Sequence, residues 1–228
     1  MHIGLIGGIG PAATDFYHRG LIERHRAAGI PLDLTIAYAD AREMSRNMVN
    51  RELQRQAGVF GRLVQRLKAA GADAAAITSM GGHFCVRELE AISPLPILNA
   101  IPAIDAALAR LEVKRLGILG TRTVMESRLY GGVRSVEIVA PEGEAMEEVH
   151  SAYVEMANAG RVTDRQRHIF FRTGRELCRE AGAWAILLGG TDLFLAFANE
   201  MPGFRVIDCA ELHVDAIFAR SSKRSSAS

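Results

Sequence analysis

The chain has 228 residues and a formal net charge of +1, with 49% of its residues hydrophobic and 23% charged. That length holds one large α/β domain or two small ones of about 100 residues each. The near-neutral balance excludes a global field that would draw in nucleic acid or an acidic membrane, and no apolar run reaches the roughly 18 residues of a membrane span.

Cys85, Cys178 and Cys209 form no CxxC pair, which argues against a disulfide framework and against a structural zinc or other metal site. The opening MHIGLIGGIG lacks the basic start and long apolar run of an export signal, so a cytoplasmic protein is expected. The basic pair Lys223 and Arg224 reads as a solvated chain end.

Ile3 to Ile6 is a short apolar run ending in glycines, the pattern of a buried parallel strand followed by a tight turn. GPAATDFYHRGLIERHR then predicts a helix with Pro11 at its opening. LTIAY from Leu34 predicts a second strand, and AREMSRN after it a loop. Glu52 to Ala70 predicts a helix whose apolar face holds Leu53, Ala57, Phe60, Leu63, Val64 and Leu67, stopped by Gly71. Third and fourth strands are expected at Ala74 to Thr78 and Leu95 to Leu98, and a helix within Asn99 to Lys114. Val136 to Arg167 is less legible, mixing a short strand, VEIVAP, with a polar helix that holds Glu144, Glu147 and Glu148. Strands alternating with helices argue for parallel sheets built from right-handed crossovers.

The second half repeats the grammar of the first. RLGILGTRTVME resembles HIGLIGGIGPAA, AWAILLGGTDL resembles DAAAITSMGGH, and FRVIDCAELH resembles LPILNAIPAI. Gly117 lies 113 residues after Gly4, Gly190 lies 111 after Ser79, and Ile207 lies 109 after Leu98. Three matches in one order at nearly one offset indicate two copies of an α/β unit. The first lobe is expected at 1–105 with 207–228 and the second at 106–206, because the apolar stretch Glu211 to Ala219 suits packing back onto the first lobe.

In parallel α/β units ligands bind beyond the carboxyl ends of the strands, here Gly7 to Pro11, Asp40 to Arg46, Thr78 to His83, Gly120 to Thr123 and Gly189 to Asp192. GGIGP misses the spacing of a dinucleotide fingerprint. It fits a tight turn, or an anion cradle at Gly10 and Pro11, where the backbone N–H groups of a helix start can hold a carboxylate. TSMGGH places Thr78, Ser79, Met80, Gly81 and His83 at one strand end, and GGTD places Gly190, Thr191 and Asp192 at its counterpart. His83 suits either a site or a helix-start hydrogen bond, and Asp192 either a site or a helix N-terminal acid. Thr121 and Thr123 suit a carboxylate or a helix cap. Arg46 suits a solvated charge or a bidentate carboxylate partner.

Together these residues resemble the cofactor-independent aspartate/glutamate racemase superfamily. LIGGIGPAAT is similar to its opening signature, GTRTVMESRLY to its second-lobe opening and VIDCAELH to its closing strand and helix. The resemblance implies two pseudo-symmetric parallel-sheet α/β lobes, a site in the cleft between them, no cofactor, a small carboxylate or amino-acid ligand, and a homodimer. It also implies proton transfer at an α-carbon between two cysteines, since a thiol's pKa of about 8.5 can be lowered by nearby donors. The first cysteine position carries Ser79 here and the second carries Gly190, while His83 and Thr191 match the rest of the two motifs and Asp192 stands in place of a glutamate. Arg46 matches an arginine of the family, and Arg161 falls where a basic residue is expected. The usual two-thiol route is therefore not expected, and His83 and Asp192, with Ser79 placing the substrate, are the candidate catalytic groups. A catalytically silent relative that binds a small carboxylate, as a sensor or partner subunit, is the alternative.

Overall fold

The computed structural model describes residues 1–222, so the Lys223–Arg224 pair lies outside the described residues. The chain separates into two compact units, Met1–Asn99 with the segment from His213 onward, and Ala100–Leu212. Among the described residues no helix is long and apolar enough to cross a membrane.

In the first unit, strands β1 (His2–Gly7), β2 (Asp33–Tyr38) and β3 (Ala74–Ile77) form a parallel sheet in the order β2-β1-β3. Central β1 is apolar on both faces and buried along nearly its whole length, as a strand covered on both sides must be. Helix α1 (Pro11–Ala28) opens on Pro11 and ends at Gly29 in the left-handed conformation, the Pro-start and Gly-stop asymmetry of helices. Helix α3 (Leu53–Ala69) buries Ala57, Phe60, Leu63, Val64 and Leu67 against the sheet. Helix α4 (Val86–Ile92) follows a 3₁₀ turn over Gly81–Cys85.

Two expectations for this unit need correction. AREMSRN is not a loop but part of helix α2 (Ala41–Val49), capped by the Asp40 side chain, which accepts the Glu43 N–H. The segment at Leu95 to Leu98 is not a full strand. It makes one parallel bridge, Ile97 to Ala75, with the Ala75 N–H donating to the Pro96 carbonyl and the Leu98 N–H to the Ala75 carbonyl. Pro96 has no N–H to extend the ladder.

The second unit contains α5 (Ala100–Leu108), β4 (Arg115–Leu119), α6 (Arg122–Glu126), β5 (Glu137–Val139), α7 (Gly143–Ala159) and α8 (Asp164–Glu180). It continues with β6 (Ile186–Leu188), α9 (Phe194–Phe197), β7 (Val206–Asp208) and the start of α10 (Cys209–Ser221). All four strands are parallel, in the order β5-β4-β6-β7. Within VIDCAELH the strand ends at Asp208, and Cys209 opens α10 and is buried.

Side-chain packing confirms the internal repeat. Helices α3 and α8 have 17 residues each, and Gln56, Phe60 and Leu67 recur 110 residues later as Gln166, Phe170 and Leu177, all buried. Gly4 in β1 lies against Leu67, so that an added Cβ would meet Leu67 Cδ1 at 2.8 Å. Gly117 in β4 lies against Leu177, where a Cβ would meet Leu177 Cδ1 at 3.1 Å. Each central strand thus carries a glycine that admits the leucine of its covering helix.

From His213, α10 packs on α1. The Tyr17 hydroxyl lies 2.9 Å from His213 Nδ1, Arg24 pairs with Asp215, and His25 packs edge-on against Phe218. These contacts hold the segment from His213 onward within the first unit.

Candidate functional site

The strand tips of the first unit are held by a small hydroxyl network. Gly8 follows β1 with φ +89, and an added Cβ would stand 2.6 Å from the Ala39 carbonyl oxygen, so glycine is required there. The Gly8 N–H donates to Thr14 Oγ1 at 2.9 Å, and that hydroxyl donates to the Gly10 carbonyl at 3.0 Å. The Thr78 hydroxyl donates to the Ile6 carbonyl at 3.1 Å. Each threonine has one proton, so the 3.4 Å approach of Thr14 and Thr78 is proximity with both protons already committed. Gly10 is buried, Pro11 is exposed, and α1 begins with neither a side-chain cap nor an acid in its first turn.

Ser79 is buried, and its Oγ accepts the Gly82 N–H at 3.3 Å. Met80 is fully buried and Gly81 half-buried. His83 Nδ1 lies 2.7 Å from the Ser79 carbonyl. A carbonyl only accepts, so Nδ1 carries the proton and the lone pair sits on Nε2. Through Nδ1, His83 therefore braces the Ser79 backbone and cannot deprotonate its hydroxyl. The ring meets that of His213 edge-on at 5.8 Å. The same reasoning fixes His213: Nε2–H donates to the Leu98 carbonyl at 2.8 Å, and Nδ1 accepts from Tyr17. Burial lowers the His83 pKa to about 4, and burial with the neighbouring imidazole lowers that of His213 to about 3. Both rings are neutral at pH 7.

The second unit's tips are built differently. Thr121 caps α6 by accepting the Val124 N–H at 3.4 Å, and Thr123 is half-buried in the same turn. An added Cβ on Gly120 would meet the Gly190 backbone nitrogen at 3.3 Å, so the turns after β4 and β6 touch. Thr191 and Asp192 are buried in the 3₁₀ turn that follows β6. Asp192 accepts a hydrogen bond from the Tyr153 hydroxyl of α7 at 3.2 Å. Desolvation first, and the Asp192 charge second, push the Tyr153 phenol well above its usual range.

The two candidate arginines are exposed, Arg46 on α2 and Arg161 in the turn after α7. The native thiols stand at other positions: Cys85 closes the 3₁₀ turn after β3, Cys178 lies on α8, and Cys209 opens α10 directly after β7. Cys85 is buried with Sγ 3.7 Å from the Gly82 carbonyl, and burial raises its pKa to about 12. Burial also raises Cys178 and, far more, Cys209. Among the described residues no three histidine, cysteine or acidic side chains gather in a way that could hold a metal ion.

Sequence reasoning missed three groups at the strand tips. Thr14 closes the first turn, and its signal was a hydroxyl one helical turn after Gly10. Tyr153 reaches the second unit's tip from a helix 39 residues away from Asp192, a contact with no local signal. Asp208 ends β7 in register with Leu188, and its Oδ1 accepts the Ala210 N–H. Burial raises the Asp208 pKa to about 7, the kind of shift that suits proton transfer near neutrality. Its place at the end of a predicted strand was the available signal.

The family model for Asp/Glu/hydantoin racemases matches residues 6–217. Among solved structures, a Yersinia pestis protein assigned to the Asp/Glu racemases superposes with a TM-score of 0.82 at 24% identity, covering 97% of this chain and 99% of that one. An aspartate racemase homologue from Pyrococcus horikoshii gives 0.75 at 24% identity, with 96% and 99% covered. A Picrophilus torridus aspartate racemase gives 0.73 at 19% identity, with 97% and 95% covered. These likenesses establish the architecture, and the family model extends from the tip of β1 into α10. On that span the chain belongs to the Asp/Glu/hydantoin racemase family.

Proposed function

We propose that this protein binds and acts on an amino acid or related small carboxylate at the turns that end its strands, without the two-thiol proton transfer of its family. One observation carries the reading. The strand-tip positions that the family resemblance assigns to its two cysteines hold Ser79 and Gly190, and the chain's own thiols stand at other positions, where burial raises their pKa values. A serine hydroxyl is a far weaker acid than a thiol, and glycine offers no proton. What remains at the tips suits a carboxylate ligand: backbone N–H groups at Gly10 and Thr121, and the exposed guanidinium groups of Arg46 and Arg161.

Purified protein incubated with L-aspartate and L-glutamate in D₂O, with NMR following the α-proton, tests this reading. Binding is expected without α-proton loss from either amino acid. Rapid exchange accompanied by racemisation would overturn it. The silent-binder reading is favoured by one fact: the Ser79, Thr78 and Thr121 hydroxyls already serve their own turns. It predicts ligand binding with no product from any amino acid or dicarboxylate offered.

A further inference from the structure

The place that a side chain at position 190 would occupy is already filled. A Cβ built on Gly190 would overlap Tyr153 Cε2, and would stand 2.7 Å from Tyr153 Cζ and 2.9 Å from its hydroxyl oxygen. Real Cβ atoms do not approach other atoms so closely, and the obstacle is a ring packed to 7% exposure, with no flexible end that could swing aside. The ring is also fastened at its far end, where its hydroxyl donates to Asp192. The Thr191 hydroxyl oxygen, in the same 3₁₀ turn as Asp192, is buried without a hydrogen-bond partner among the described residues.

We propose that Tyr153 and Gly190 are one functional position: α7 supplies, as a phenol, the side chain that the strand tip itself lacks, and this phenol is the proton-bearing group of the second unit's tip. The assignment rests on the family correspondence of Gly190 used above, and it deepens that reading. The phenol's one proton is engaged by Asp192, so a ligand oxygen can receive it only in exchange for that carboxylate, and a phenol held protonated by burial cannot take a proton from carbon at neutral pH. The substitution therefore replaces a group that could be tuned for both directions of transfer with one that only donates. It also makes the loss of the thiol a steric matter, because restoring a cysteine at 190 requires Tyr153 to be shortened.

Two measurements on the full chain test this, and neither needs a ligand. The first is a melting cycle of Gly190→Cys, Tyr153→Ala and the double variant. Gly190→Cys alone should lower the melting temperature by about 2–12 °C, as overpacking does in a protein of this size. In the Tyr153→Ala background the same change should cost nothing or raise the melting temperature. An equal loss in both backgrounds would sink the proposal. The second is NMR of ¹³Cζ-labelled tyrosine, with Tyr153→Phe assigning the signal. Tyr153 should keep its proton at pH 10.5, above the ordinary value of about 10, and ionisation at or below that value would overturn the donor role. A failure to bind carboxylates would leave both results intact, so the two readings can fall separately.

Discussion

Two buried imidazoles in contact make the first unit sensitive to acid. His83 and His213 are neutral in the fold, with pKa values of about 4 and about 3. In the unfolded chain histidine titrates near about 6.5. Between these limits the unfolded state binds more protons, so stability is lost as pH falls below about 6.5. Asp208 has the opposite sign. Its folded pKa of about 7 exceeds the unfolded value of about 3.9, so its contribution weakens as pH rises across that interval. His213→Gln keeps a donor for Leu98 and an acceptor for Tyr17 but cannot titrate. Denaturant unfolding between pH 4 and pH 6 should show the variant's pH slope shallower than the parent's, by up to about 1.4 kcal/mol per pH unit. Parallel slopes would mean that His213 is already charged in the fold.

The elements show what could and could not be read from the chain. β1, β3, α1 and α3 were legible because each is a sustained apolar pattern closed by glycine or proline. α2 was not, because AREMSRN is too polar for periodicity to show and its helix is secured by the Asp40 cap. α8 escaped as well, although its buried positions repeat those of α3, because Thr173 and Gly174 replace Leu63 and Val64 on the packed face. The strand-tip motifs were visible from their spacing, whereas Tyr153 was not, since only tertiary packing brings α7 to Gly190. The glycine–leucine contact that marks both copies is open to a direct check. Gly4→Ala should destabilise by about 1–3 kcal/mol through overpacking against Leu67. Leu67→Ala should cost less in that background than alone, since the added methyl takes up part of the void. Additive losses in a double-mutant cycle would show that the two do not share the space.

For the molecule as a whole, the internal repeat was the strongest sequence-level signal of a two-unit architecture, because three matches at nearly one offset are hard to obtain by chance. The apolar residues of α10 were a reason to expect it on the first unit, but its hydrogen-bonded seat, Tyr17 to His213 and His25 to Ser221, had no signal in the sequence. Ile217 is fully buried in that segment. Ile217→Ala should cost about 2–5 kcal/mol, and amide exchange should accelerate more in β1 to β3 and α1 than in β4 to β7. Uniform acceleration across both sheets would argue that the chain opens as one cooperative body.

That seat also bears on the order in which the protein can be made. Domains tend to fold as units while the chain is still being synthesised. The residues that complete the first unit's core, from His213 onward, leave the ribosome only after every residue of the second unit. The unit that starts first must therefore finish last, and until it does Tyr17 and His25 lack their partners on the nascent chain, where a holding chaperone would find them.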